Sequence, residues 1–372
     1  MRIGIVYPYF PPSAFEGGIS HYSARLAQSL MSRGHHVYAL AAGQVSEPAC
    51  DCKASPKIEI IRMQEPWRYA TVGKFKKLAI DYDLDALILQ YAPADFKKAF
   101  RLGWCFGRLP CQKITAFHSL WGRGLDRLFG LLLLRQSTKI IATNSEVLTI
   151  LQNRLPNFLK KTYHIPIASA IDPDPRSAPG RPAAKPLITF FGMLYPGKGL
   201  YLILEVLAQL RKKGYLFDFK FIGGGIIYHQ AYAAQFRNAI EKRNLQQTAA
   251  TLGALPEREV TAWLGRSRFV FLPFEGGLSD RRSSLMTALA HGKAVLTSPP
   301  IVNMPIFKNG ANILWPEQPG PAAYLRLVER LLADDSLVRR LEHGALQLSQ
   351  AFNWHKIAAA YESALIQNGK PG

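Results

Sequence analysis

A chain of 372 residues is too long for one ordinary core and is expected to fold as two domains of roughly 150 to 200 residues each. With 48% hydrophobic and 19% charged residues, it has the apolar content to bury sizeable cores, which excludes an intrinsically disordered protein. Lys plus Arg number 46 against 26 Asp plus Glu, a net charge of +20, so the partners to expect are anionic: phosphates, an acidic membrane surface or nucleic acid.

The opening MRIGIVYPYF passes straight into a strand pattern without the ordered regions of a secretion signal. The longest strongly apolar run, Leu128 to Leu134, is flanked by Arg127 and Arg135 and falls well short of the roughly 20 residues that cross a bilayer. A cytoplasmic protein without a transmembrane helix is therefore expected. Cys50, Cys52, Cys105 and Cys111 lack the paired spacing of a zinc site and are expected to be reduced and structural.

Short apolar runs of the kind that form buried parallel strands occur at Ile3 to Val6, Val37 to Ala41, Ile58 to Ile61, Ala86 to Leu89, Ile114 to Phe117 and Ile140 to Thr143. Between the first two, Ile19, Tyr22, Leu26 and Leu30 share one helical stripe that begins at Gly17-Gly18 and ends at Gly34. From Phe96 to Lys139 there are nine basic residues (Lys97, Lys98, Arg101, Arg108, Lys113, Arg123, Arg127, Arg135, Lys139) against one acid, Asp126, interleaved with Phe, Leu and Trp. This is either a solvated basic face or a surface for an anionic bilayer on the inner side of the membrane.

Asp172 to Pro186, with Pro173, Pro175, Pro179, Gly180, Pro182 and Pro186, cannot continue a helix or central strand and reads as the linker. Beyond it, strands are predicted at Leu187 to Phe191, Phe217 to Ile222, Ala249 to Leu252, Phe269 to Leu272 and Ala294 to Thr297, with helices at Leu200 to Lys212, Glu257 to Gly265 and Ser283 to Ala290. The chain thus reads as α/β, with domains at 1–171, joined by a returning 353–372, and at 187–352, each a doubly wound parallel sheet.

In such sheets ligands bind beyond the carboxyl ends of strands, at the positive ends of the following helices. Five strand-to-helix turns are candidates. Gly17 and Gly18 leave backbone bare at the first. Phe190-Phe191-Gly192-Met193-Leu194-Tyr195-Pro196-Gly197-Lys198-Gly199 delivers a lysine at a helix start, suited to a diphosphate. Phe221-Ile222-Gly223-Gly224-Gly225 is a third permissive end, and Gly253-Ala254-Leu255-Pro256 a fourth, where main chain near Leu255 can meet a base. The fifth, from Leu272 to Ser284, gathers Glu275, Ser279, Asp280, Arg281, Arg282, Ser283 and Ser284 ahead of a helix. Guanidinium forks and fresh helical N–H donors together suit a charged diphosphate.

These landmarks, with Leu26-Ala27, Arg33-Gly34-His35 and Ala288-Leu289-Ala290-His291-Gly292, resemble in order those of GT-B glycosyltransferases of family 4. Phe352-Asn353-Trp354 and the final helix are similar to that family's segment crossing back to the N-terminal domain. The resemblance implies two Rossmann-like domains facing across a cleft, with retaining transfer of a hexose from a nucleoside-diphosphate sugar. UDP and glucose are the first expectations from family frequency, and the acceptor is a saccharide or lipid-linked saccharide in envelope or polysaccharide assembly. It also implies no cofactor and no metal: Asp81-Tyr82-Asp83-Leu84-Asp85 mimics an acidic metal triplet but precedes a buried strand and reads as a helix-to-strand loop.

Carried over residue by residue, Lys198 matches the lysine on the donor phosphates, and His118, after its strand, the histidine near the sugar. Asn144 ends the next strand, as a helix cap or an acceptor contact. Met193 stands where the family has arginine, and Ser279 and Thr287 stand where it has two glutamates. Glu275 and Arg281 or Arg282 are the expected replacements. Thus Lys198, Arg282, Glu275 and His118 are the expected catalytic set. Gly17, Gly18, Gly192, Gly223, Gly224, Leu255, Ser279, Arg281, Ser283, Ser284 and Thr287 join Lys198 and Arg282 around the donor.

Three other classes compete with this reading. A dinucleotide-dependent oxidoreductase lacks its glycine fingerprint after the first strand, and specific nucleic-acid recognition lacks a reading module. A GT-B-shaped binder of nucleotide sugars without transfer is the alternative that the missing glutamates support.

Overall fold

The computed structural model describes residues 1–13, 17–42, 58–63, 71–96, 100–122, 124–174, 185–224 and 230–366. Cys50, Cys52, Lys97, Lys98, Arg123, Gly225 and the proline-rich centre of the expected linker lie outside them. The chain divides into two compact units, Met1–Ala168 with Asn353–Gly372, and Ser169–Phe352.

The first unit runs β1 (Arg2–Val6), α1 (Gly18–Met31), β2 (His36–Ala42), β3 (Glu59–Met63), α2 (Thr71–Asp81), β4 (Ala86–Tyr91), α3 (Phe100–Phe106), β5 (Gln112–Phe117), α4 (Leu125–Gln136), β6 (Lys139–Ala142), α5 (Ser145–Arg154) and β7 (Thr162–His164). Its seven strands pair in parallel in the order β3-β2-β1-β4-β5-β6-β7. Every residue of β4 is buried, as a parallel sheet covered on both faces requires. Phe75 and Ala79 of α2, Leu102 and Phe106 of α3, and Phe129, Leu133 and Leu134 of α4 share one apolar cluster with strand residues Leu87, Leu89, Phe117 and Ile140. Each fully buried side chain of this kind contributes roughly 1.5–3 kcal/mol. β7 was not foreseen, because Thr-Tyr-His is too short and too polar to read as a strand. Asp81 closes α2, and Asp83 and Asp85 turn the chain into β4: Asp85 accepts from the Arg2 backbone N–H at 2.7 Å.

The second unit runs β8 (Leu187–Phe191), α6 (Leu200–Lys212), β9 (Asp218–Ile222), α7 (Gln230–Lys242), β10 (Ala249–Gly253), α8 (Glu257–Arg266), β11 (Phe269–Leu272), α9 (Ser283–Ala290), β12 (Val295–Thr297), α10 (Pro321–Ala333) and α11 (Asp335–Ser349). Its five parallel strands are ordered β10-β9-β8-β11-β12. Residues 169–171, expected with the first domain, instead belong to this unit. The packing shows why: Ser169 Oγ lies 3.2 Å from Thr287 Oγ1 of α9.

The last helix, α12 (Trp354–Ile366), returns to the first unit and packs on α1. Trp354 packs tilted against Tyr22 with ring centroids 5.2 Å apart, and the Tyr22 hydroxyl donates to that of Tyr361 at 3.0 Å. Arg33 pairs with Glu362, which also meets His35 Nε2 at 3.2 Å. Among the described residues no helix is long and apolar enough to cross a membrane.

Candidate functional site

In the second unit, three strand ends converge. Gly223, at the end of β9, has φ +137°, and a Cβ there would sit 2.1 Å from the Gly192 carbonyl oxygen. Only glycine allows this approach of the β8 and β9 ends. The same argument holds at Gly199, the cap of α6, where φ is +67° and a Cβ would meet the Pro273 carbonyl oxygen at 1.9 Å. The Lys198 turn is thereby pressed against the end of β11, and the Glu275 N–H donates to the Gly197 carbonyl at 3.2 Å.

Lys198 is 8% exposed. Its ammonium lies 5.4 Å from the centre of the Phe274 ring and 5.0 Å from that of Tyr195, while the Arg282 guanidinium lies 4.8 Å over the same Phe274 ring. Aromatic faces attract cations without neutralising them. Burial, then the positive charges of Arg282 and Arg281, lowers the Lys198 pKa to about 8. A lysine depressed by burial and by like charges is poised to gain from a polyanion.

Ser279 and Thr287 are fully buried. Ser279 Oγ accepts from the Arg281 N–H at 3.3 Å. Ser284 is buried in the first turn of α9, beside Gly192, and Ser283 opens that helix. Glu275 is exposed, as is Arg281. Gly224 accepts the Leu194 N–H at 3.0 Å, and Leu255 is half-buried between β10 and α8. Lys198, Arg281, Arg282, Ser279, Ser283, Ser284 and Gly192 are thus brought together. Sequence reasoning missed Phe274, the ring that carries two of the cations; its signal was an aromatic directly before Glu275 in an otherwise polar turn.

The first unit is electrically different. His118, just after β5, is 9% exposed, and burial lowers its pKa to about 3, so it is neutral at pH 7. Its Nε2 lies 2.8 Å from the side-chain amide of Gln90, and its Nδ1 lies 3.4 Å from Thr143 Oγ1. The Thr143 hydroxyl already donates to the Phe117 carbonyl at 2.8 Å, so Nδ1 must carry the imidazole proton to make its bond. Nε2 is then an acceptor, which requires the Gln90 amide nitrogen on that side. The opposite assignment leaves Gln90 Nε2 buried without a partner; amide orientation follows from the network. Turning the amide gives one directed chain from Gln90 through His118 and Thr143 to a β5 carbonyl.

Asn144 is fully buried as the cap of α5: its Oδ1 accepts from the Val147 N–H at 3.0 Å and its Nδ2 donates to the His118 carbonyl at 3.1 Å. The capping reading of Asn144 accounts for both amide atoms. Gly17 caps α1, with open space where a Cβ would be, and Gly18 is exposed at the helix start. Gln90 and Tyr361 were missed by sequence reasoning. The signal for Gln90 was a polar residue at the end of a strand that is otherwise apolar, since a buried amide demands partners. Among the described residues no group of three or more His, Cys, Asp or Glu is gathered as metal ligands.

Two parallel-sheet units, each with permissive turns at its strand ends, are the architecture of the GT-B fold. Residues 16–166 match the model of Glycosyltransferase Family 4, and residues 173–347 that of Glycosyl transferases group 1. The chain belongs to the GT-B glycosyltransferases of family-4 type. Solved structures agree in fold. The chain is similar to sucrose-phosphate synthase from Thermosynechococcus elongatus (TM-score 0.80, 19% identity, 98% of each chain covered). It is also similar to Anabaena HepE in complex with UDP-glucose (TM-score 0.73, 15% identity, 98% of this chain and 99% of that one). A third similar structure is WaaG, a glycosyltransferase involved in lipopolysaccharide biosynthesis (TM-score 0.70, 14% identity, 99% and 100%). No curated protein sequence matches the chain.

Proposed function

We propose that this glycosyltransferase moves a hexose, glucose in the first instance, from a UDP-sugar to a saccharide or lipid-linked saccharide, with retention at the anomeric carbon. The observation that carries the reading is the buried Lys198 beside Arg281 and Arg282 at converging strand ends, where its pKa is held down to about 8. The second unit then holds the donor and the first the acceptor. UDP-glucose is favoured by the complex of that ligand with a protein of similar fold.

In this scheme Lys198, Arg282 and the N–H groups opening α9 stabilise charge on the departing diphosphate. The acceptor hydroxyl attacks from the face the diphosphate leaves, and a diphosphate oxygen takes its proton. Glu275 orients a sugar hydroxyl in place of the family's carboxylate. His118, neutral and bonded at both nitrogens, positions rather than transfers protons, and Asn144 supports it. The scheme needs neither metal nor cofactor.

Incubation with a panel of nucleoside-diphosphate sugars, with and without saccharide acceptors and membrane extract, tests it. Release of UDP from UDP-glucose is expected; release from no donor sinks transfer. One observation favours a second reading, a nucleotide-sugar binder without turnover: Ser279 and Thr287 offer only buried hydroxyls where catalysts of this family carry carboxylates. Stable donor binding without release of UDP would select it.

A further inference from the structure

Helices α6 and α7 follow the adjacent strands β8 and β9, and each puts a tyrosine on its first turn, Tyr201 and Tyr232. Their rings meet edge to face with centroids 5.8 Å apart, and Tyr201 stands in the same way on Phe236 at 6.0 Å. Phe236 is fully buried and packs on Phe221 of β9 at 4.9 Å. The contact between helix and sheet is thus made by Phe236, and Tyr201, 39% exposed, is left with its ring at the rim of the strand ends.

Glu275 reaches the same rim from the end of β11. Its backbone N–H is tied to the Gly197 carbonyl at 3.2 Å, and it directly follows Phe274, the ring that carries Lys198 and Arg282. Burial, then the nearby Tyr201 hydroxyl and Glu275 carboxylate, push the Tyr232 pKa up to about 12, so the phenol keeps its proton beside a carboxylate. Among the described residues, neither the Tyr232 hydroxyl nor the Glu275 carboxylate has a hydrogen-bond or ion-pair partner, although a lysine and two arginines stand on the adjoining turns. Packing needs neither group: a phenylalanine would fill the place of Tyr232, and Glu275 is exposed.

We propose that Tyr232 and Glu275 grip one hydroxyl of the donor's sugar, with the Tyr201 ring as the wall on which a C–H face of that sugar lies. This rests on the reading of the second unit as the holder of a nucleoside-diphosphate sugar, and adds to it the residues that select the sugar. An alcohol oxygen both donates and accepts; the carboxylate offers only lone pairs and the phenol offers a proton, so the pair satisfies both roles. A diphosphate oxygen has no proton to give and is repelled by Glu275, which leaves it to Lys198 and the arginines. The sugar is covalently joined to that diphosphate and must lie beside the Lys198 turn, to which Glu275 is tied through Gly197. Polar groups arranged around a hydroxyl reject a sugar that lacks it, because they are then left unpaired.

Calorimetric titration of the full chain with UDP and with UDP-glucose tests it, the readout being the ratio of the two dissociation constants. Tyr232→Phe should weaken UDP-glucose by about tenfold, the worth of one hydrogen bond in a charged group's company, and hold UDP within about twofold of wild type. Glu275→Gln should do the same, and the double variant should lose little more than either single one, because both groups serve one hydroxyl. Tyr215→Phe, which removes a 38% exposed hydroxyl beyond the far end of α6, should leave the ratio as it is. An unchanged ratio in Tyr232→Phe overturns the proposal. So does equal weakening of UDP and UDP-glucose, the mark of a structural role, or fully additive losses in the double variant. A wild type that binds no UDP contradicts the UDP-sugar reading instead; the ratio is then read with GDP and GDP-mannose or with ADP and ADP-glucose, and binding of none of these pairs overturns both.

Discussion

The two units build their strand-end sites from opposite electrostatics. In the second, Lys198 is buried against two arginines and aromatic faces, so positive charge is held in place with its pKa depressed to about 8. In the first, His118 is buried against an amide, a hydroxyl and the edge of Tyr22, so it stays neutral with its pKa near 3. Burial of an ionisable group is common to both, and the neighbours decide its use. Like charges prepare a lysine for an anion; a closed hydrogen-bond chain fixes an imidazole as scaffold.

The largest effect separating these roles is expected at Lys198. Lys198→Ala should lower kcat/KM for the donor by about 10²–10³, the cost of removing a preorganised donor to developing charge. Arg282→Ala should cost roughly tenfold to a hundredfold. It should also move the Lys198 titration upward, because of the two arginines Arg282 depresses it more. A pH profile of kcat/KM checks both. The wild type should lose activity as pH rises through about 8, where free Lys198 gives up its proton, and Arg282→Ala should lose it at higher pH. Glu275→Gln should lower kcat by roughly tenfold; wild-type turnover would remove Glu275 from the scheme.

How much of this was legible follows from which features are local. Strands such as Ala86–Tyr91 announce themselves as continuous apolar runs between turns, and Lys198 and Arg282 stand in Gly-rich strand-to-helix junctions. The stacking of Lys198 and Arg282 on Phe274 was not legible, because it joins two junctions about 80 residues apart, brought together by sheet pairing. Gln90 was passed over for the same reason: its partner His118 stands 28 residues on, just past the end of β5. The unit to which Ser169 belongs was not legible because a serine carries no periodicity; its contact with Thr287 joins it to α9.

The smallest effects probe the neutral side. Unfolded His118 titrates near 6.5 and folded His118 near 3. Between these values the unfolded chain holds the extra proton, so this residue's contribution to stability falls as pH drops from about 6.5 toward 3, by at most about 1.4 kcal/mol per pH unit. Thermal melts of wild type and His118→Asn from pH 7 to 4.5 should converge as acid is added. His118→Asn should also leave the pH–rate profile between 5 and 7 unchanged in shape. A limb that disappears with the imidazole would make His118 a proton carrier.

The central claim, that Lys198 and its arginines form the donor diphosphate site, is tested most directly by calorimetric titration of UDP and of uridine into wild type and Lys198→Ala at pH 7 and pH 9. UDP should bind the wild type at pH 7, weaken by up to about tenfold at pH 9, and lose most of its affinity in Lys198→Ala, while uridine should bind weakly and without pH dependence. UDP affinity in Lys198→Ala equal to that of the wild type at both pH values would contradict it.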